Sequence, residues 1–218
     1  MRTLKFKNGK ELEVRTMYCI GQNYAKHAAE MGGKVSSDPI IFIKPPAAYI
    51  ENGGKILLPD ISNNVHHEVE LVVVIGKNCI NINEKDAVNY IAGYAVGIDA
   101  TLRDLQKKAK ENGHPWAVAK GFYSSAPISD IIPAEEFAGK IPFFELELKV
   151  NGELKQKSST ENMERTVGKL IEYLSRIFTL EPGDCIFTGT PEGVGQIVKG
   201  DKLFAELKGF VTLSVEAG

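Results

Sequence analysis

The chain has little of most things that would mark a specialised protein. Among its 218 residues there are only three cysteines and one tryptophan, and the formal net charge is −2. No apolar run approaches the roughly 20 residues that span a bilayer, and the N-terminal stretch lacks the apolar segment of a secretion signal. A near-neutral charge with scattered Lys and Arg offers no long-range attraction for nucleic acid or for an anionic membrane. Cys19, Cys79 and Cys185 are odd in number and lie far apart in apolar stretches. They read as reduced core thiols, which points to a cytoplasmic protein with neither a disulfide framework nor a zinc site. No Ser/Gly-rich linker, repeat or shift of composition divides the chain, so one domain over residues 1–218 is expected.

What is present is alternation. L-K-F-K-N-G-K-E-L-E-V and F-F-E-L-E-L-K-V-N-G-E-L-K-Q each carry an Asn-Gly pair between alternating segments, the signal of a hairpin. Helical spacing marks N-Y-A-K-H-A-A-E-M, E-K-D-A-V-N-Y-I-A, T-L-R-D-L-Q-K-K-A-K-E and the stripe Val167, Leu170, Ile171, Leu174 and Phe178. The expected fold class is a β-rich α+β domain with a few short helices.

One stretch poses a chemical problem. In N-V-H-H-E-V-E-L-V-V-V-I-G, the run Leu71–Ile75 has the composition of a strand covered on both faces, yet it is preceded by Glu68 and Glu70. Alternate residues of a strand share a face, so two carboxylates should project together and repel unless something positive meets them. Asp99 ends another apolar segment, G-Y-A-V-G-I-D-A. Three carboxylates form an all-oxygen ligand set that suits Mg²⁺, Mn²⁺ or Ca²⁺ better than zinc. His67 falls on the opposite face from the two glutamates, so His66 and His67 read as supporting residues. Spacing alone leaves open the plainer reading, acids solvated at strand ends. The loop G-T-P-E-G-V-G lacks the Gly-Lys-Ser/Thr ending of a phosphate loop.

Three further groups stand out. His27 and Glu30 are three residues apart on a predicted helix, where a carboxylate can orient an imidazole for proton transfer. Lys120 lies among small and apolar residues in A-V-A-K-G-F, placed either to stabilise an oxyanion or to pair with an acid. Arg103 and Gln106 share one side of the helix that follows Asp99.

Taken in order, I-G-Q-N-Y-A-K-H-A-A-E, F-I-K-P, H-H-E-V-E-L, G-I-D-A-T-L-R-D-L-Q, A-K-G-F, V-N-G-E-L-K-Q and L-E-P-G-D-C-I-F-T-G-T-P-E-G-V-G resemble the fumarylacetoacetate hydrolase family. The nearest likeness is to its acylpyruvate hydrolase and oxaloacetate decarboxylase branch. The resemblance implies the mixed β-sandwich or roll of that family's C-terminal domain, without a separate N-terminal β-domain. It implies one Mg²⁺ or Mn²⁺ held by Glu68, Glu70 and Asp99, and a His27–Glu30 pair on a lid that closes over substrate. It places Lys120 in the active site and assigns substrate contacts to Arg103, Gln106, Thr190 and Lys44. The expected reaction is C–C cleavage of a 2,4-diketo acid to pyruvate and a carboxylic acid, with oxaloacetate decarboxylation beside it. Isomerisation of a 2-hydroxy-dienoate and tautomerisation of oxaloacetate use the same platform, and a catalytically silent metal- or dicarboxylate-binding protein is the rival from another class. A homodimer is typical of the family. Gln22, where the mitochondrial branch usually has Arg, and Ala47, where Ser or Thr is common, bear on preference for a second carboxylate.

Overall fold

The computed structural model describes residues 2–218. Its centre is a six-stranded sheet in the order Ile132–Pro133, Ile91–Ile98, Val69–Ile75, Cys185–Phe187, Met17–Gly21 and Ile40–Lys44. Every residue of Val69–Ile75 is buried, as the unbroken apolar run requires. Val69, Leu71, Val73 and Ile75 face a core shared with a five-stranded sheet that contributes Leu146, Leu148, Leu203, Leu213 and Val215. Val72 and Val74 face a second core with Leu4, Phe6, Val14 and Ile128, beneath the N-terminal hairpin. The central sheet is therefore covered on both sides.

Both Asn-Gly hairpins form. At the second, Asn151 and Gly152 have φ of +51° and +83°, the pair of positive values that a two-residue turn between twisted strands demands. The helices are short: α1 (Ala25–Glu30), α2 (Arg103–Glu111), α3 (Ala117–Lys120) and α4 (Val167–Ser175). Phe178, expected on the α4 stripe, lies beyond the end of that helix but packs on the same core. Glu84–Tyr90 is a 3₁₀-helix rather than the start of an α-helix, and Ile91 already begins a strand.

The topology puts several strand ends together. Val69–Ile75 and Ile91–Ile98 run antiparallel with Glu70 opposite Gly97, so the start of one strand meets the end of the other. The expected single strand through Glu68 is interrupted. Val65–His67 pairs instead with Thr101–Leu102 and Gly195–Ile197, and Glu68 lies where the chain passes from that small sheet to the large one. There its carbonyl accepts from the Asp99 N–H at 2.8 Å. Thr188–Thr190 leave the Cys185–Phe187 strand at this same edge, and Gln22 follows Met17–Gly21 beside them.

Gly97 shows how tight this region is. A Cβ there would lie 2.6 Å from Val72 Cγ2 and 2.8 Å from Phe187 Cε1. Its glycine serves side-chain packing between strands, not the approach of a ligand to backbone. Gly97→Ala should lower stability by about 1–3 kcal/mol through overpacking, read from the urea midpoint at unchanged slope.

Candidate active site

The edge of the central sheet gathers charge that a core would ordinarily exclude. Glu68, Glu70 and Asp99 are all buried, and each offers a carboxylate oxygen within 4.8 Å of the others. The chain path explains this convergence: Glu70 stands opposite Gly97 near the end of the strand that leads to Asp99, and Asp99 is tied to Glu68 through the backbone. Two lysines answer them. Lys120, at the end of α3, donates to Glu68 Oε2 at 2.8 Å, Asp99 Oδ2 at 2.5 Å and Thr101 Oγ1 at 2.6 Å, with its ammonium 4.8 Å from the Phe42 ring centre. Lys44, at the end of an edge strand, is fully buried. It lies 2.8 Å from Asp99 Oδ1 and donates to the Ser125 hydroxyl at 2.9 Å and to the carbonyls of Ala100, Lys120 and Ser125. Arg103, the first residue of α2, pairs with Glu68 Oε1 and donates to Gln106 Oε1 at 2.6 Å.

The carboxylates do not share this compensation equally. Burial by itself pushes the Glu68 carboxyl up, but Lys120, Arg103 and His27 outweigh it and hold Glu68 well below the usual carboxylate range. Glu70 has no cationic side chain against it among the described residues. It accepts only the Gly189 N–H, at 2.7 Å. Burial first, then the charges of Asp99 and Glu68, push Glu70 well above the usual range. Asp99 Oδ1, although near Lys44, receives no hydrogen bond of proper geometry. An under-compensated glutamate, a carboxylate oxygen without a donor and an all-oxygen ligand set together fit a hard divalent cation.

Above the carboxylates stands α1. His27 is 7 % exposed, and its Nδ1 lies 3.2 Å from Glu30 Oε2. Glu30 also accepts the N–H of Gly193 at 3.1 Å, so one carboxylate both orients the imidazole and fastens α1 to the glycine loop. The side chain of Asn23 pins the base of α1, donating to the carbonyls of Thr188 at 2.8 Å and Arg165 at 3.1 Å. Gly189, with φ of +101°, allows this loop to run close under Asn23, whose Cβ would lie 2.8 Å from an added methyl group.

A single pocket is lined by His27, Glu68, Glu70, Asp99, Arg103, Gln106, Lys120 and Thr190, with Gln22, Lys110 and the apolar Met31, Phe42 and Trp116. Of the ten residues assigned to the site in the sequence, all but two reach it. Glu30 stands behind His27. Lys44, expected among the substrate contacts, lies beneath the floor, where its charge is spent on Asp99 and on backbone carbonyls. Its assignment as a substrate contact is corrected accordingly. His66 and His67 stay outside the pocket lining, His67 as its face required and His66 because Val65–His67 belongs to the separate small sheet. His67 Nδ1 lies 2.9 Å from Gln156 Oε1, and burial, then Arg103, lowers His66 to about 4.

Gln156 was not singled out in the sequence. Fully enclosed, it accepts the Val69 N–H and donates to Thr190 Oγ1 and the Pro191 carbonyl, both at 2.9 Å, so one amide joins the glutamate strand to the threonine loop. The only signal for it was a polar residue in an alternating strand.

A pocket that converges three carboxylates, buried cations and a carboxylate-oriented histidine has the make-up of an enzyme active site. Comparison with known proteins makes the class particular. Residues 16–216 match the family described as fumarylacetoacetate (FAA) hydrolase C-terminal, and the chain belongs to that family. It is 48% identical over 191 residues to the mitochondrial oxaloacetate tautomerase FAHD1 of Arabidopsis thaliana, spanning 88% of this chain and 85% of that protein. It is 44% identical over 196 residues to the oxaloacetate tautomerase YcgM of Escherichia coli strain K12, covering 90% of each. Among solved structures, the fumarylpyruvate hydrolase of Pseudomonas aeruginosa in complex with Mn²⁺ and pyruvate superposes with a TM-score of 0.94 at 38% identity, covering 99% of this chain and 95% of that one. The expected fold class holds.

Two measurements test the charge arrangement. Lys44→Met removes one of the two buried cations against Asp99 and should cost about 3–5 kcal/mol in urea denaturation. Glu68, held low in the folded state, contributes stability that is complete above the unfolded value of about 4.3 and is lost as pH falls through the depressed folded value. The acid limb of a stability–pH curve should therefore flatten in Glu68→Gln.

Proposed function

We propose that this chain is a divalent-cation-dependent enzyme that interconverts the enol and keto forms of a small 2-oxo acid of the oxaloacetate type. The observation that carries the reading is His27, oriented by Glu30 and aimed into a pocket whose opposite wall is the carboxylate–lysine cluster. The similarity to oxaloacetate tautomerases, closer in sequence than that to the fumarylpyruvate hydrolase, supports this reaction ahead of the C–C hydrolysis expected from the sequence.

Glu68, Glu70 and Asp99 would hold the cation, Mg²⁺ or Mn²⁺, which supplies Lewis-acid stabilisation of a 2-oxo oxygen as it becomes an enolate. The rest is the work of this chain's side chains. With its Nδ1–H donated to Glu30, His27 keeps Nε2 free as a base or, once protonated, as an acid. In ketonisation the enol loses its O2 proton to solvent water and protonated Nε2 delivers one to C3, after which water returns a proton to the imidazole. In enolisation Nε2 removes a proton from C3 and the oxygen gains one. Lys120 brings positive charge to the developing oxyanion. Arg103, Gln106 and Thr190 line the pocket and orient the carboxylate.

The cavity measures about 40 Å³, room for a few water molecules and far less than the roughly 300 Å³ or more of a ligand pocket. Substrate therefore enters when α1 moves outward, and Gly32, with φ of +74°, and Gly33 give the chain freedom to turn at the end of that helix.

A second reading is hydrolysis of an acylpyruvate at C3–C4. The same dyad favours it, because a base oriented by a carboxylate also suits activation of a water. The two separate by product: decay of enol absorbance from oxaloacetate without pyruvate, against pyruvate release from acetylpyruvate. With Mg²⁺ present, His27→Ala should slow the tautomerisation by at least about 100-fold while Mg²⁺ still raises the melting temperature. Undiminished tautomerisation in His27→Ala would remove the dyad from the mechanism. A shift in melting temperature with Mg²⁺ and dicarboxylate but no turnover would identify a silent binding protein.

A further inference from the structure

The pocket is lined by three cationic side chains, and only one lacks a partner. Lys120 is held by Glu68 and Asp99, and Arg103 by Glu68. Among the described residues Lys110 has no ion-pair partner and no side-chain hydrogen bond, although the neighbouring Lys107 pairs with Glu111 on the same helix. Arg103, Gln106 and Lys110 fall at i, i+3 and i+7 and so form one stripe of α2, running from the carboxylate cluster to the mouth of the pocket. Arg103 and Lys110 are separated by about 10 Å of helix rise, so Lys110, an exposed residue, stands about one turn beyond Gln106 at the solvent side of the stripe.

Gln22 carries a second, independent mark. It is held at φ +59°, in the left-handed region that a non-glycine residue other than Asn or Asp seldom enters, and its side chain lines this pocket with no hydrogen-bond partner among the described residues. The remaining wall, Met31, Phe42 and Trp116, offers a distal group nothing ionic.

We propose that Lys110, assisted by the Gln22 amide, recognises a second carboxylate at the far end of the substrate and so makes the pocket selective for dicarboxylic 2-oxo acids. This deepens the proposed function and rests on its 2-oxo acid substrate.

Malate and lactate share the 2-hydroxy acid head and differ by that distal carboxylate. Titration calorimetry with each, in Mg²⁺, reads the contribution without turnover. The wild-type protein should prefer malate. Lys110→Gln should reduce the malate-to-lactate affinity ratio about fivefold or more, Lys110→Arg should keep it, and added salt should erode it in the wild type. Unchanged melting temperatures show that the variants fold.

A ratio within twofold of wild type in Lys110→Gln overturns the proposal. So does an equal loss for both ligands, or a wild-type protein that does not prefer malate. A Lys110-dependent preference in a protein that leaves the oxaloacetate enol untouched would overturn the tautomerase reading alone.

Discussion

The structure depends on a cluster of opposite charges buried where four strands of the central sheet end. Removing one carboxylate from water without a partner costs several kcal/mol, and here three lie together. They are tolerated because Lys44, Lys120 and Arg103 reach them from three separate elements. The sheet edge, the start of α2 and the end of α3 are thus held in one arrangement by electrostatics as much as by apolar packing. Compensation is complete at Glu68 and incomplete at Glu70. That imbalance leaves the cluster receptive to a cation.

The apolar framework around the cluster works differently. Val69–Ile75 is clamped between two cores, and Gly97 lets a neighbouring strand approach where even a methyl group would collide. A rigid sheet fixes the carboxylates. The chemistry facing them comes from α1 and from the loop through Gly189 and Gly193, which are held mainly by hydrogen bonds.

Much of this was legible in the residues themselves. The period of two put Glu68 and Glu70 on one face, and the Asn-Gly pairs announced both hairpins. Asp99 stood out as an acid ending an apolar segment and completed an all-oxygen ligand set with the glutamates, although spacing alone left open acids solvated at strand ends. What stayed hidden had a common cause: it depends on segments distant in the chain. Lys44 reads as a pocket cation until Ala100, Lys120 and Ser125 are seen to close over its ammonium. Gln156 is 87 residues from Val69, and nothing local says that its amide will accept that N–H. Glu68 was placed within one continuous strand because a switch between two sheets leaves no mark in alternation.

Glu30 touches both His27 and the Gly193 N–H, and this ties α1 and the glycine loop into one thermodynamic unit. Whatever holds the glycine loop in place must favour the docked position of α1, and by reciprocity a docked α1 must sharpen the loop's grip on a ligand by the same factor. Under the proposed function, occupancy at one end of a substrate would thereby be reported to His27 at the other.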